Sequence, residues 1–167
     1  MMSERTNLVL RGALASDVPV LAKIWHEGWQ DGHAGLVPDK LARNRTLDSF
    51  ADRLANSLAQ VRVAELEGEI VGFHVIQEDE LNQFFLAAEA RGRGVADVMM
   101  ADAEAGFRAA GHARAWLACA IGNDRAARFY EKQGWGRTGV VTSHLPTRDG
   151  VVDLEVWRYE KMVTSGG

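Results

Sequence analysis

One change of period limits the folding choices of this chain more than any other feature. Leu81-Asn82-Gln83-Phe84-Phe85-Leu86 reads as a strand, and Val95, Val98, Met99, Phe107 and Ala110 mark the buried stripe of a helix. Between them lies Arg91-Gly92-Arg93-Gly94-Val95-Ala96. A turn rich in glycine and arginine at a helix start is a place to hold phosphate. Several backbone N–H groups there lack helical partners, and the helix dipole adds partial positive charge. Glycine lets the chain approach an anion without a Cβ in the way, and successive N–H groups can form a nest.

Three patterns compete for this turn. A Walker loop needs a lysine and a hydroxyl after its last glycine, and neither is present. A dinucleotide fingerprint needs a third glycine or alanine, but Gly92-x-Gly94-x-x-Asp97 puts a carboxylate there. The third pattern, Gln/Arg-x-x-Gly-x-Gly/Ala, is matched by Arg91, Gly94 and Ala96. It resembles the pyrophosphate loop of the GCN5-related N-acetyltransferase (GNAT) family. An ordinary surface connection with two glycines at a helix start accounts for the six residues equally well.

A second block runs from Asn123 to Trp135: Asn-Asp-Arg-Ala-Ala-Arg-Phe-Tyr-Glu-Lys-Gln-Gly-Trp. Physically it is a short helix. Asn123 or Asp124 caps its start, Ala126, Phe129 and Tyr130 share a face, and Gly134 suits the left-handed position past its end. Helix grammar explains each of those features, but not the helix's place one helix and one strand after the first block. That order, with Asn-x-x-Ala-x-x-Phe-Tyr-Glu-Lys-x-Gly-Phe/Trp, resembles the second GNAT signature. On the two blocks together the chain is identified as a member of that family.

Composition bounds the rest. At 167 residues a single domain over 1–167 is expected, with a frayed tail from about residue 162. A net charge of −4 gives no sign of a nucleic-acid partner. No apolar run approaches a bilayer span and the start lacks a signal-peptide core, so neither a membrane partner nor export is expected. The single cysteine, Cys119, cannot close an internal disulfide, which fits the cytoplasm. The five histidines show no metal-pair spacing, and no metal is expected.

A pass along the chain predicts a strand over 7–12 and a helix from an N-cap at Ser16 to about Trp29, with Pro19 in its first turn. A loop from Gln30 to Asp39 precedes a second helical stretch carrying Leu47, Phe50, Leu54 and Leu58. Strands at 62–66 and 69–77 form a hairpin about Glu67-Gly68, and a fourth strand covers 80–87. After the helix of 95–110 come a fifth strand at 113–121, the Tyr130 helix, and a last hairpin of 135–144 and 151–161.

The order βααβββαβαββ is that of the GNAT fold. The resemblance implies an α/β architecture: a twisted, mostly antiparallel sheet, helices on both faces, and parallel fourth and fifth strands that splay apart. It implies acetyl transfer from acetyl-CoA to a primary amine by direct attack in a ternary complex. Gly92, Gly94, Val95 and Ala96 would offer N–H groups to the pyrophosphate, with Arg91 and Arg93 adding charge. Phe84, Phe85 and Leu86 would pair with pantetheine, and the Leu86 N–H is a candidate donor to the thioester carbonyl. Asn123 would reach the pantetheine or the reacting centre. Tyr130 would protonate the departing thiolate; an amphipathic core tyrosine is the alternative for it. Homodimers are common in the family.

The base is less plain. An alkylammonium has a pKa near about 10.4 and must lose a proton before it attacks. Some family members carry a glutamate five residues before the asparagine, where this chain has Ala118. Glu78, Asp79 and Glu80 remain, and strand alternation puts Glu80 on the face of Asn82, Phe84 and Leu86. A solvated turn explains these acids as well. Cys119 between two alanines reads as a small core residue rather than a nucleophile. His33 sits in the loop that closes over the acceptor in related proteins, with a surface histidine as the default. Trp25 and Trp29 wall either the acceptor pocket or the core. Trp29, His33, Glu80 and Asn82 are thus the candidate acceptor contacts. The acids of 78–80 hint at a cationic acceptor, a small-molecule or peptide amine. A noncatalytic acyl-CoA-binding module and an enzyme acting on an antibiotic- or herbicide-type amine are the alternatives.

Overall fold

The computed structural model describes residues 7–164. Its strands are β1 (Leu8–Gly12), β2 (Val61–Leu66), β3 (Glu69–Gln77), β4 (Glu80–Leu86), β5 (Arg114–Ala120), β6 (Gly136–Thr147) and β7 (Gly150–Met162). They form one sheet in the order β1-β2-β3-β4-β5-β7-β6. Every neighbouring pair is antiparallel except β4 and β5, which run parallel and are paired only at Glu80 and Trp116. Beyond that point the two strands part, so the sheet carries an open wedge at its centre.

The helices are α1 (Val18–His33), α2 (Asp39–Asn44), α3 (Leu47–Asn56), α4 (Val95–Ala109) and α5 (Asp124–Lys132). On one face α1 and α3 bury Leu21, Trp25, Phe50 and Leu54 against Val63, Phe73 and Val75 of the sheet. On the other, α4 buries Met99, Met100, Ala103 and Phe107, and α5 adds Ala127. Large apolar side chains on both faces make two cores with the sheet between them, which holds the wedge open rigidly.

Local chemistry revises several boundaries. Ser16 does not cap α1; it lies in a 3-10 turn over Ala15–Asp17. There the Asp17 carboxylate accepts the Leu14 N–H at 2.7 Å and pairs with Arg11, so the helix starts at Val18 with Pro19 in its first turn. The helix also runs four residues past Trp29, so Gln30 to His33 are helical rather than loop. The expected second helix is two. Thr46 accepts the Ser49 N–H at 3.1 Å and starts α3 afresh after the short α2. In α4, Val95, Met99 and Phe107 are buried as expected, but Val98 is 43% exposed and Ala110 is exposed, and Met100 and Ala103 take their place in the stripe. Met162 ends a paired strand and Val163 is buried, so ordered structure reaches past the expected start of the frayed tail. Residues 165–167 of that tail lie outside the described residues. Among the described residues no helix is long and apolar enough to cross a membrane.

A half-buried pair ties α4 to the sheet. His74 of β3, 1% exposed, is 2.8 Å from Asp102 of α4 through Nε2. Arg62 of β2 donates to both oxygens of the same carboxylate, at 3.1 and 2.9 Å. The His74 contact first, then Arg62, holds the Asp102 carboxyl well below the usual carboxylate range against the opposing effect of burial.

Candidate active site

The wedge opens into a crevice of ≈ 550 Å³ whose walls come from β4, α1, the turn before α4, and α5. Its β4 wall exposes main chain. The Ala87 N–H donates to Val71 C=O at 2.7 Å, so by two-residue alternation Phe85 also spends its amide on β3. The N–H and C=O groups of Phe84 and Leu86 therefore point the other way, into the wedge. Of the three residues expected to pair with pantetheine, Phe84 and Leu86 have main chain free to do so. Phe85 contributes its ring, which packs 6.1 Å from Trp25.

At the mouth lies the expected anion turn. Gly92 and Gly94 have φ of 76° and 79°, a left-handed backbone that glycine adopts without strain. Space within 4 Å of a Cβ built on either glycine is empty, so the turn faces open crevice. Gly94 is the N-cap of α4, whose first amides follow at Val95, Ala96 and Asp97. Arg91 and Arg93 are exposed, and the Arg91 guanidinium lies 3.4 Å from Asp31 of α1. Arg125 and Lys132 of α5 also line the crevice, adding positive charge to its rim.

Asn123 and Tyr130 form the α5 wall. The Asn123 side-chain Oδ1 accepts the Ala126 N–H at 3.4 Å, and its Nδ2 sits against Gly32 of α1. Tyr130 is half-buried, 5.6 Å from Phe129 and 6.2 Å from Tyr159 between ring centroids. Burial first, then the neighbouring Cys119, pushes its phenol well above the ordinary tyrosine value, so it keeps its proton at neutral pH. Cys119 is itself buried, and burial raises its thiol to about 11. It is therefore a thiol at neutral pH, not a nucleophilic thiolate.

The α1 wall was not expected from the sequence. Gly28, Asp31 and Gly32 line the crevice together with Leu36. A Cβ on Gly28 would lie 2.6 Å from Phe85 Cδ1, and one on Gly32 would lie 2.8 Å from Asn123 Nδ2. Two glycines four residues apart inside a helix were the available signal. Each costs roughly 1 kcal/mol relative to alanine and so calls for a packing reason.

A second, smaller cavity of ≈ 170 Å³ shares α1 and β4 as walls. Trp29, His33, Glu80 and Asn82 all line it. Their meeting depends on a bulge that strand alternation does not foresee. Gln83 pairs with Val75 and Leu81 with Ile76, leaving Asn82 as an extra residue. The expectation that Glu80 and Asn82 share a face with Phe84 and Leu86 is therefore overturned. Phe84 and Leu86 pack on the α4 side, while Glu80, Asn82 and Gln83 face the α1 cavity. The Glu80 carboxylate accepts from Asn82 Nδ2 at 3.2 Å, and burial raises its carboxyl above the usual range. Glu78 and Asp79 stay outside, in the turn; Asp79 accepts the Trp116 indole N–H at 3.1 Å.

His33 stacks on Trp29 with centroids 5.0 Å apart, and its Nδ1 is 3.1 Å from the Trp29 carbonyl. Burial lowers its pKa, so it is neutral at pH 7, with Nδ1–H facing the carbonyl and Nε2 without a hydrogen-bond partner among the described residues. Arg45 and Arg53 complete the cavity and had attracted no attention in the sequence. Among the described residues no group of three or more His, Cys, Asp or Glu side chains is arranged to hold a metal ion.

Comparison with known proteins gives this geometry its relatives. The profile described as Acetyltransferase (GNAT) family matches residues 21–135. An uncharacterised N-acetyltransferase of Mycobacterium tuberculosis is 31% identical over 101 residues, 58% of this chain and 65% of the relative. The match thus spans less than two thirds of that relative's length. A GCN5-related N-acetyltransferase from Rhodopseudomonas palustris has the same fold at a TM-score of 0.73 and 22% identity, covering 97% of this chain and 99% of that one. A putative acetyltransferase from Salmonella typhimurium, solved with its cofactor acetyl-CoA, gives 0.70 at 14% identity over 96% of both chains.

Proposed function

This chain belongs to the GNAT acetyltransferase family, and on that premise we propose that it moves the acetyl group of acetyl-CoA onto a primary amine by direct attack in a ternary complex. The same proposal takes residues 1–167 as one N-acetyltransferase domain. The observation that carries it is the pairing of two cavities across β4 and α1, one edged by free main chain and an anion nest, the other by Glu80 and His33. The first fits acetyl-CoA by its chemistry. Gly92, Gly94, Val95 and Ala96 would hold the diphosphate, Arg91, Arg93, Arg125 and Lys132 would balance its charge, and Phe84 and Leu86 would bond pantetheine amides. Bound there, the coenzyme supplies an electrophilic thioester carbonyl.

The chain's own residues do the rest. The Leu86 N–H points into the wedge and would donate to the oxygen on which charge develops, a contribution of about 3 kcal/mol where such a donor is preorganised. Tyr130 keeps a proton on Oη for the departing thiolate. The same burial that raises its pKa would raise that of a thiolate beside it, so transfer is not blocked by the mismatch. Asn123 orients the coenzyme from α5. Glu80 takes the proton that an alkylammonium must lose, directly or through one water. Neutral His33, with Nε2 open, is a second acceptor for it.

Thiol release from acetyl-CoA across a panel of primary amines, with Tyr130→Phe as control, tests this reading. Turnover with at least one amine, slowed in the variant while coenzyme affinity is kept, is the expected result. Tight acetyl-CoA binding without thiol release to any amine would favour a noncatalytic acyl-CoA-binding module instead.

A further inference from the structure

Two arginines reach the acceptor cavity without an acidic partner. Arg45, the C-cap of α2, is 7% exposed, and its guanidinium donates to the Pro146 carbonyl at 3.4 Å. Arg53, from the last turn of α3, lies over the Trp25 ring with Cζ 4.6 Å from the centroid. Among the described residues, neither is within ion-pair distance of a carboxylate, although eight other arginine or lysine pairs of this fold are. Glu80 lines the same cavity, but its hydrogen bond goes to Asn82 and the cation that acts on it is Arg158. Burial lowers the pKa of Arg45. Burial and then the positive charge of Arg45 lower that of Arg53 to about 10. Two cations that repel each other in a half-dry cavity are costly unless an anion joins them.

The charges are separated by element. The guanidinium groups come from the α2–α3 side, whereas Glu80 and its Asn82 neighbour come from β4, beside the coenzyme crevice. Between them, β5 offers only Ala118 and Ala120, which leaves the middle of the cavity free. Its ≈ 170 Å³ is well under the roughly 300 Å³ at which drug-sized ligand cavities begin, so the occupant is small.

We infer that the acceptor carries an oxyacid anion a few bonds from its amine, an amino acid or an aminophosphonic or aminophosphinic acid, held by Arg45 and Arg53 with its amine toward Glu80. This inference rests on the acetyl-transfer reading for its chemistry, but not for its binding. The planar fork of a guanidinium group suits the oxygens of such an anion, and Trp29 and Leu154 give the same cavity apolar wall.

The test has two arms on the full chain. In the first, thiol release from acetyl-CoA is followed with amino acids and aminophosphonates, each matched to its amide or to the amine lacking the anionic group. The acid should exceed its neutral partner in kcat/KM by at least about 100-fold. Arg45→Gln and Arg53→Gln, each made separately in case one fails to fold, should shrink that ratio to about 10-fold or less and raise KM for the acid. In the second arm, the thermal unfolding midpoint is read with the same pairs and no acetyl-CoA. The acids should raise it and the neutral partners should not. Equal use of acids and neutral partners overturns the inference while leaving acetyl transfer intact. Selective stabilisation by the acids without thiol release supports this cavity assignment and overturns the transfer reading. The absence of both binding and turnover with every anionic amine overturns the inference.

Discussion

Gly32 of α1 and Asn123 at the start of α5 meet across the larger crevice: a Cβ on the glycine would stand 2.8 Å from the asparagine Nδ2. Gly32→Ala separates function from stability. Alanine gains roughly 1 kcal/mol of helix propensity, which offsets local crowding, so urea unfolding should change little. The displaced Asn123 amide should lower kcat/KM for acetyl transfer by about 10-fold or more, since ångström-scale misplacement at a site is costly. A variant with unaltered kinetics would remove Asn123 from the reacting centre.

Tyr130→Phe removes one hydroxyl and no packing volume. Because burial holds this phenol protonated through the neutral range, the acid role predicts a turnover lower by ~10²- to 10⁴-fold with coenzyme affinity kept. Steady-state kinetics beside calorimetric CoA binding checks both halves. Unchanged turnover would return Tyr130 to the role of a packing residue.

Much of this site was legible in the chain because glycine and asparagine carry local meaning. Gly92, Gly94 and Asn123 announce a left-handed turn and a helix cap whatever surrounds them. The acceptor side was not legible, for three reasons. The extra residue at Asn82 reverses which face Glu80 occupies, and nothing in Leu81-Asn82-Gln83 marks a bulge. His33 reads as loop because Gly32, His33 and Gly35 resemble turn punctuation, yet burial of Trp29 carries α1 through it. Arg45 and Arg53 stand eight residues apart on separate helices, so no periodicity joins them; only the folded cavity does.

Glu80→Gln tests the base. Its carboxyl is raised chiefly by burial, with the Asn82 hydrogen bond opposing, so the carboxylate forms only above the ordinary range of about 4.3. In the wild type kcat/KM should fall as pH drops through that raised value, giving an acidic limb. The variant should lose the limb and about 100-fold in rate. If limb and rate both survive, Nε2 of His33 or water is the acceptor.

Asp102→Asn probes the clasp between α4 and the sheet. The folded-state pKa of Asp102 is depressed, so its contribution is complete above about pH 4 and is lost as pH falls toward the folded value. The variant should be less stable by about 1–3 kcal/mol at pH 7 in urea unfolding, with the gap narrowing below about pH 4. A gap that stays constant on acidification would show that His74 and Arg62 draw nothing from the ionised carboxylate.

If the proposed function holds, coenzyme diphosphate rests on the backbone amides between Arg91 and Ala96 while pantetheine meets β4. Amide chemical shifts of ¹⁵N-labelled protein, titrated with coenzyme A, read this position by position. Saturable shifts should be largest at Gly92, Gly94, Val95 and Ala96, with a second group at Phe84 and Leu86 and little at Phe85. Saturable shifts that leave those amides still, or none at all, would contradict it.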